Sequence, residues 1–195
     1  MKPVSNWNQV QPAADRQKLP AGGYVVKIMD AAVQSYKNRD GGTFEKLEIS
    51  VDIFEGEYKD FYANDYRSQM QEDKRWKGVL RLYIPTDDGS EKDEWTKSCL
   101  KAVTDAIEDS NVGYHWNWDE KSLKGKTVGC LFREEEWAFG DRTGWTTRPF
   151  KFISAENIRA GKFTVPNRKP LKKEQGPIVQ IDEGTIEISA DDLPF

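Results

Sequence analysis

Cysteine and histidine are almost absent from this sequence of 195 residues, which contains two cysteines and one histidine. Cys99 and Cys130 have no CxxC spacing, and His115 is the single histidine. A structural zinc site takes about four such ligands at regular intervals, so the sequence predicts no metal site. Two unpatterned cysteines also fit a reducing compartment better than a disulfide-stabilised fold, which favours a cytoplasmic protein.

Long apolar stretches are missing as well. No run approaches the ~20 residues that a membrane-spanning helix requires, and the N-terminal MKPVSNWNQV has no signal-peptide core. Hydrophobic residues make up 37% of the chain, and the mean hydropathy is -0.78; both values are low for a globular protein. We therefore expect a protein without a membrane partner.

Aromatic residues, in contrast, are plentiful at 12% of the chain, and seven of them are tryptophans. Because the aliphatic content is low, some of these rings are expected on a surface rather than in the core. Packing of tryptophan and tyrosine into a small β core is the other explanation.

Acidic charge is concentrated at the C-terminal end. The formal net charge is -4, from 29 Lys and Arg against 33 Asp and Glu. Five of these acids, and no Lys or Arg, lie between Asp182 and Phe195, so the rest of the chain has 29 basic against 28 acidic residues. This asymmetry predicts an acidic tail on a nearly neutral body that is dense in Lys and Arg.

Alternation of apolar and polar residues predicts five strands. It is clearest in TFEKLEISVDIFEG (43–56), where the apolar residues from Leu47 to Ile53 share one face and Lys46, Glu48, Ser50 and Asp52 share a solvated face. The other predicted strands are GYVVKIMDAAV (23–33), GVLRLYIP (78–85), LKGKTVGCLFREEEWAF (123–139) and WTTRPFKFI (145–153). A basic turn, SYKNRDGG (35–42), follows the first of them, and Phe61-Tyr62 is a weaker strand candidate.

A helix is predicted after the third strand. Ser90 and Asp93 form an approximate capping box, apolar residues recur at helical spacing from Trp95 to Ile107, and Asn111 and Gly113 supply the stop. A shorter helix is predicted in SAENIRAG (154–161). The amphipathic pattern indicates that the longer helix covers the core.

This order of elements predicts a mainly β protein. Three strands, a helix and two further strands match a five-stranded, partly open oligonucleotide/oligosaccharide-binding (OB) barrel with its helix between strands 3 and 4. We expect an N-terminal arm over residues 1–22, the OB-fold domain over 23–165, and a flexible, disordered C-terminal tail over 166–195. The tail assignment rests on its prolines and on the lack of any strand or helix period.

An OB barrel that binds single strands needs cations along the phosphates and aromatic faces on which bases stack. The outward face of strands 2 and 3 and the loops after strands 1 and 4 usually provide them. The residues of these types at those places are Tyr36, Lys37, Arg39, Phe44, Lys46, Arg81, Tyr83, Trp137, Phe139, Arg142, Trp145, Arg148 and Lys151. Any single ring is equally well explained by packing, since a register slip of one residue exchanges the two faces. The rings and arginines between Trp137 and Arg148 form a group that is typical of an interaction site.

The last five residues, Asp191-Asp192-Leu193-Pro194-Phe195, resemble the C-terminal tip of bacterial and phage single-stranded DNA-binding proteins. In that family an acidic run ends in Ile-Pro-Phe; here Leu193 replaces the isoleucine and the acidic run has two residues. The length and helix of the body resemble phage-encoded members.

The resemblance implies a non-enzymatic protein of the bacterial cytoplasm that binds single-stranded DNA without sequence preference and uses no cofactor. It also implies that Asp191, Asp192, Leu193, Pro194 and Phe195 recruit replication, recombination and repair proteins. Physical chemistry agrees, because a terminal phenylalanine can enter an apolar pocket while its carboxylate pairs with Arg or Lys.

Two other functions stay open at this point. A metal-dependent nuclease or resolvase of phage recombination would draw on Glu134, Glu135 and Glu136, but consecutive strand residues point to opposite faces, so the three do not converge on one ion. An adaptor that binds only protein would use the tail alone. A homo-oligomer also stays open, because no self-complementary surface can be read from the sequence.

Overall fold

The computed structural model describes residues 2, 5, 17–38 and 41–171. Most of the expected N-terminal arm (1–22) and residues 172–195 of the expected tail lie outside the described residues.

The protein is mainly β, as predicted. Five antiparallel strands form one sheet in the order β3-β2-β1-β4-β5. The strands are β1 (Gly22–Lys37), β2 (Thr43–Ile53), β3 (Val79–Tyr83), β4 (Thr127–Phe139) and β5 (Arg142–Ile153). In the described ranges they are accompanied by three α-helices, α1 (Phe61–Ser68), α2 (Glu91–Ser110) and α3 (Ala155–Arg159), and by a short 3-10 helix over Glu120–Leu123. The predicted start of the fourth strand at Leu123 is therefore too early, since β4 begins at Thr127.

The long strand β1 joins the two halves of the sheet. Its first residues, Gly22–Lys27, pair with β4, whereas Val26–Lys37 pair with β2. A bulge between Ile28 and Asp30 falls where β1 leaves β4, and bulges bend strands and increase their twist. The edge strands β3 and β5 contain residues whose Cα atoms lie within 8 Å of each other, yet no hydrogen-bonded ladder joins these two strands in the part of the chain that the structure describes. The sheet therefore curls but is not closed into a barrel.

The core lies inside this curl. Its fully buried side chains include Ile28, Ile49, Val51, Val128, Phe132 and Phe152 from the strands and Ile107 from α2. Each contributes roughly 1.5–3 kcal/mol by leaving water. Helix α2 follows β3 and precedes β4, as the helical spacing predicted, and its apolar stripe faces this core.

The start of α2 confirms the predicted cap. Ser90 Oγ accepts a hydrogen bond from Asp93 N at 3.1 Å. The Asp93 carboxylate does not complete a capping box, because its Oδ1 accepts from Thr86 N and Asp87 N at 2.7 and 3.1 Å. Asp93 therefore ties the preceding loop to the helix.

Two predictions about local structure were wrong. Ser35–Lys37 belongs to β1 rather than to a turn, because Tyr36 pairs directly with Phe44 across the β1–β2 hairpin. The segment that starts with Phe61 is a helix, because the Asp52 carboxylate accepts from Tyr62 N and Ala63 N at its N-terminus. This cap comes from ten residues upstream, so no local pattern announces it.

The face of β2 that was predicted to be solvated is covered at two positions. Lys46 and Asp52 are only 2% and 4% exposed. Burial raises the pKa of the Asp52 carboxyl, and hydrogen bonds from Tyr62, Ala63 and Ile53 N–H groups oppose that rise.

Among the helices that the structure describes, none is both long and apolar enough to span a bilayer.

Candidate nucleic-acid interface

Three neighbouring strands bring five of the predicted residues together. The register pairs Tyr36 with Phe44, Lys46 with Tyr83, and Glu48 with Arg81. Directly paired residues share a face, and this face is opposite to the one that carries Leu47 and Ile49 into the core. The residues of this sheet-face cluster are Tyr36, Phe44, Lys46, Glu48, Arg81 and Tyr83.

The three rings of the sheet-face cluster form one continuous aromatic surface. Tyr36 and Phe44 stack at 5.5 Å between centroids with an interplanar angle of 19°. Tyr83 follows at 5.8 Å from Phe44 and is tilted by 35°. All three side chains are partly exposed, so an extended aromatic face is open to a ligand.

Lys46 lies under these rings rather than in solvent. Its Nζ is 5.4 Å from the Tyr36 centroid, 5.3 Å from that of Phe44 and 4.6 Å from that of Tyr83. Ammonium groups at such distances are attracted by the negative ring faces. Burial lowers the pKa of Lys46, and the nearby positive charge of Arg81 lowers it further.

Glu48 connects two other members of the sheet-face cluster by hydrogen bonds. Its Oε1 accepts from the Tyr36 hydroxyl and, at 2.7 Å, from Arg81 Nε. Burial and this hydrogen bond raise the pKa of Tyr36. Desolvation acts to lower the pKa of Arg81, but the Glu48 carboxylate outweighs it and the net shift is upward. The carboxylate therefore fixes one ring and one cation in place.

The β4–β5 hairpin carries the second group of predicted residues, but divides it between two faces. Trp137 pairs with Gly144, and Trp145 pairs with Glu136, so the two indoles point to opposite sides. The side of Trp137 also carries Phe139, Arg142 and Arg148. The tight turn at Gly140-Asp141 sets a register that places Trp145 on the other side from the rest of the group, so these residues do not all share one face.

Trp137 is held against the backbone of β5. A Cβ atom at Gly144 would lie 2.8 Å from Trp137 Cζ2, so only glycine permits this close approach. Trp137 is 39% exposed and Phe139 is 71% exposed. These two neighbouring rings are accessible to a ligand.

Trp145 has a partner from the end of the described chain. The Arg168 guanidinium lies 5.0 Å from the Trp145 centroid and its Nη2 is 3.1 Å from Glu134. Backbone hydrogen bonds place it there, since Glu136 N bonds to Lys169 O at 2.9 Å and Lys169 N to Glu134 O at 2.8 Å. The chain beyond Val165 was expected to belong to the disordered tail, but it bonds to the β4 backbone at Lys169 and to the Glu136 side chain at Leu171.

The three consecutive glutamates of β4 are all engaged. Glu135 is buried and pairs with Arg133 at 2.9 Å and with Arg148 at 3.9 Å. Glu134 pairs with Arg168, and Glu136 accepts from Leu171 N at 3.0 Å. These carboxylates stabilise the hairpin and the segment that lies along it.

Several predicted residues lie apart from both groups. Lys37 is on the opposite face of β1 from Tyr36, because neighbouring strand residues alternate. Lys151 faces α2, where its charge partly offsets the burial that raises the pKa of Cys99. Arg39 and the tip residues Asp191, Asp192, Leu193, Pro194 and Phe195 lie outside the described residues.

The sequence did not reveal three residues of these groups. Glu48 could have been predicted, because it lies an even number of residues from Phe44 and Lys46 on β2 and therefore shares their face of the strand. The sequence gave no signal for the two arginines. Arg133 lies 4.0 Å over the Phe150 ring, and this contact follows from the register of β4 and β5. Arg168 is placed by a backbone pairing between residues 34 positions apart in sequence.

No group of three or more His, Cys, Asp or Glu side chains in the described ranges is arranged to hold a metal ion. Comparison of the chain with protein-family models and with curated proteins finds no match.

Proposed function

We propose that this protein binds single-stranded DNA without sequence preference on an OB-type barrel that is open between β3 and β5. The strand order supports the OB assignment, since β1 pairs with both β2 and β4 and the edge strands approach each other. The place of α2 between β3 and β4 supports it as well.

The observation that carries the proposal is the sheet-face cluster. OB domains bind ligands on the face of strands 2 and 3, and here that face presents three adjoining rings and Arg81. Stacking of a base on an aromatic side chain contributes about 1–3 kcal/mol and tolerates any base. Rings without directional base contacts therefore favour binding that does not depend on sequence.

The hairpin adds a second set of contacts. Trp137 and Phe139 offer exposed rings, and Arg142 at the start of β5 is an exposed cation. Cations of this kind contact phosphates and make binding salt-dependent. In this proposal the DNA passes from the sheet-face cluster to the Trp137 side of the hairpin.

The segment Asp191–Phe195 is proposed to recruit replication, recombination or repair proteins in a bacterial cytoplasm. Its similarity to the family tip supports this role, and its acids would increase the rate of encounter with a basic partner. The DNA-binding body is proposed to act without catalysis or a cofactor.

Fluorescence titration of the full chain with a dT oligonucleotide tests the DNA-binding proposal. We expect quenching with salt-weakened binding, and Phe44→Leu or Tyr83→Leu should weaken binding by about 1–3 kcal/mol each. Val112→Ala, at a fully exposed site in the turn after α2, is the control. Absence of binding by the unaltered chain would reject the proposal and favour an adaptor that binds only protein.

A further inference from the structure

The outward face of β2 continues beyond the sheet-face cluster to a second aromatic position. Phe54 follows the last residue of β2 and has the same parity as Phe44, Lys46 and Glu48. Its backbone N–H still bonds to Val25 O of β1 at 2.9 Å, so the strand geometry extends to this residue. Phe54 is 41% exposed.

Two lysines from different segments converge on the Phe54 ring. Lys27 of β1 places its Nζ 5.9 Å from the ring centroid, and Lys59 of the turn before α1 places its Nζ 6.0 Å away. Lys27 pairs with Asp52, so it belongs to the same outward face. An exposed ring flanked by two cations repeats the combination that a base and its phosphates require.

Two of the carboxylates close to Phe54 are hydrogen-bonded to other groups. Asp52 caps α1, and Glu55 accepts two hydrogen bonds from Arg159 at 3.2 and 2.7 Å. Glu57 and Asp60 also lie in this turn. Lys27 and Lys59 are thus the cations that would attract phosphate at this position, against the negative charge of these carboxylates, and both lysines are testable.

Between the two aromatic positions, β1 and β2 present small or polar side chains on this face, and Ser50 also pairs with Val79 of β3. Ala32 pairs with Glu48, and Asp30 pairs with Ser50. Asp30 is 3.7 Å from Lys124, and Glu48 is bonded to Arg81. At these positions the carboxylates of Asp30 and Glu48 each lie beside a cation, and no aromatic ring stands between Phe44 and Phe54 on β2.

We infer that Phe54, Lys27 and Lys59 form a second subsite for single-stranded DNA, at the far end of a track that starts at the sheet-face cluster. Ten residues separate Phe44 from Phe54, which corresponds to about 33 Å at strand spacing. That distance spans about ten nucleotides at the spacing of a B-form strand and lies within the range of OB-domain site sizes. The inference rests on the proposed function and defines its footprint.

Oligonucleotide length separates the two subsites. Short dT of about 5 nucleotides should bind mainly at the sheet-face cluster, which has three rings instead of one, whereas dT of about 15 nucleotides should cover both subsites. We expect Phe54→Ala to weaken binding of the longer oligonucleotide about 5- to 150-fold and to leave the shorter one unchanged. Val112→Ala should affect neither.

The lysines have a separate readout. Lys27→Ala with Lys59→Ala should lower the salt slope of long-oligonucleotide binding by about 1.4, at about 0.7 for each phosphate contact. Lys92→Ala, an exposed lysine on α2, should leave it unchanged.

Each outcome of these titrations decides a distinct point. Failure of the unaltered chain to bind any dT rejects the proposed function itself. Binding by the unaltered chain with the same length dependence in Phe54→Ala as in Val112→Ala overturns the second subsite alone. An equal loss at both lengths in a Phe54→Ala protein that melts at the normal temperature also overturns it.

Discussion

The role that the sequence suggests for Lys46 differs from the role that its neighbours in the structure indicate. The sequence places it on an outward face, where a lysine normally contacts phosphate. The structure instead encloses its ammonium beneath three rings, with the side chain nearly inaccessible to water. Its attraction to the rings holds them in place, so in the proposed function Lys46 is a positioning residue rather than a phosphate contact.

Salt dependence distinguishes a positioning lysine from a phosphate contact. Lys46→Met keeps the length and apolar stem of the side chain, so we expect the slope of log affinity against log salt to stay within error of the unaltered protein. Arg142→Ala, at an exposed arginine of the hairpin, should reduce the slope by about 0.7. Fluorescence titrations at four or five salt concentrations measure both. A matching drop in slope for Lys46→Met would show that its ammonium reaches the phosphates.

The sequence predicts the face of each cluster residue better than its environment. Period-2 alternation placed Phe44 and Tyr83 outward, and the register confirms their orientation. Burial of Lys46 could not be predicted, because it requires rings from three strands at known register. Arg168 was hidden for a related reason, since its position depends on backbone pairing with β4 that is unrelated to local propensity.

At the level of elements, the N-terminus of α2 combines a predictable cap with an unpredictable one. Ser90 was identified from its type and its position before an apolar period. The role of Asp93 depends on the path of the loop before it, which brings two backbone N–H groups to its carboxylate. Its Oδ2 lies 3.0 Å from Lys97 Nζ, and the side chain is 2% exposed.

Asp93 should make the stability of the fold sensitive to acid. Burial acts to raise its pKa, but hydrogen bonds from Lys97 and from Thr86 and Asp87 N–H outweigh burial, so the net pKa is lowered. Because its pKa is lower in the folded state, the ionised Asp93 carboxylate stabilises the folded protein at pH values above the unfolded-state pKa of about 3.9. That contribution to the free energy of unfolding is lost as the pH falls through the folded-state pKa.

Thermal unfolding of Asp93→Asn tests this linkage. We expect a lower Tm than that of the unaltered protein at pH 7, and a difference that shrinks as the pH falls below about 4. Asp105→Asn, at a more exposed carboxylate that pairs with Lys101, is the matched control and should change Tm little. A Tm difference that stays constant down to pH 2.5 would contradict a role for the charge of Asp93.

The β4–β5 hairpin shows the limit of prediction at the same scale. Its two strands were predicted from alternation, but the turn was expected over Gly140–Gly144, whereas β5 already begins at Arg142, and the register was not predicted. Because the turn contains two residues, Trp137 faces Gly144 and Trp145 falls on the other side. A turn longer by one residue would exchange the face of Trp145, and composition does not distinguish these cases.

For the whole molecule, the distribution of charge matters more than its sum. Five acids and no Lys or Arg between Asp182 and Phe195 leave a body with 29 basic and 28 acidic residues. The described chain ends beside the hairpin, where Leu171 N bonds to Glu136. The acidic segment follows Leu171 in the sequence, and we expect its negative charge to repel the phosphates of an approaching strand.

Neutralising that segment should accelerate DNA binding. Replacing Asp182, Glu183, Glu187, Asp191 and Asp192 by their amides removes five negative charges and changes the net charge from -4 to +1. We expect faster association with dT at about 0.01 M salt, where the Debye length is about 30 Å, and equal rates at about 1 M, where it is about 3 Å. Stopped-flow tryptophan quenching measures the rates.

The control for that experiment is Phe195→Ala, which keeps every acid. It should associate with dT like the unaltered chain at both salt concentrations, because the ring of Phe195 is proposed to serve protein partners rather than DNA. Faster association of Phe195→Ala would show that the ring itself occupies the DNA path. Unchanged rates for the neutralised variant at low salt would instead show that the acidic segment stays beyond the electrostatic reach of the binding surface.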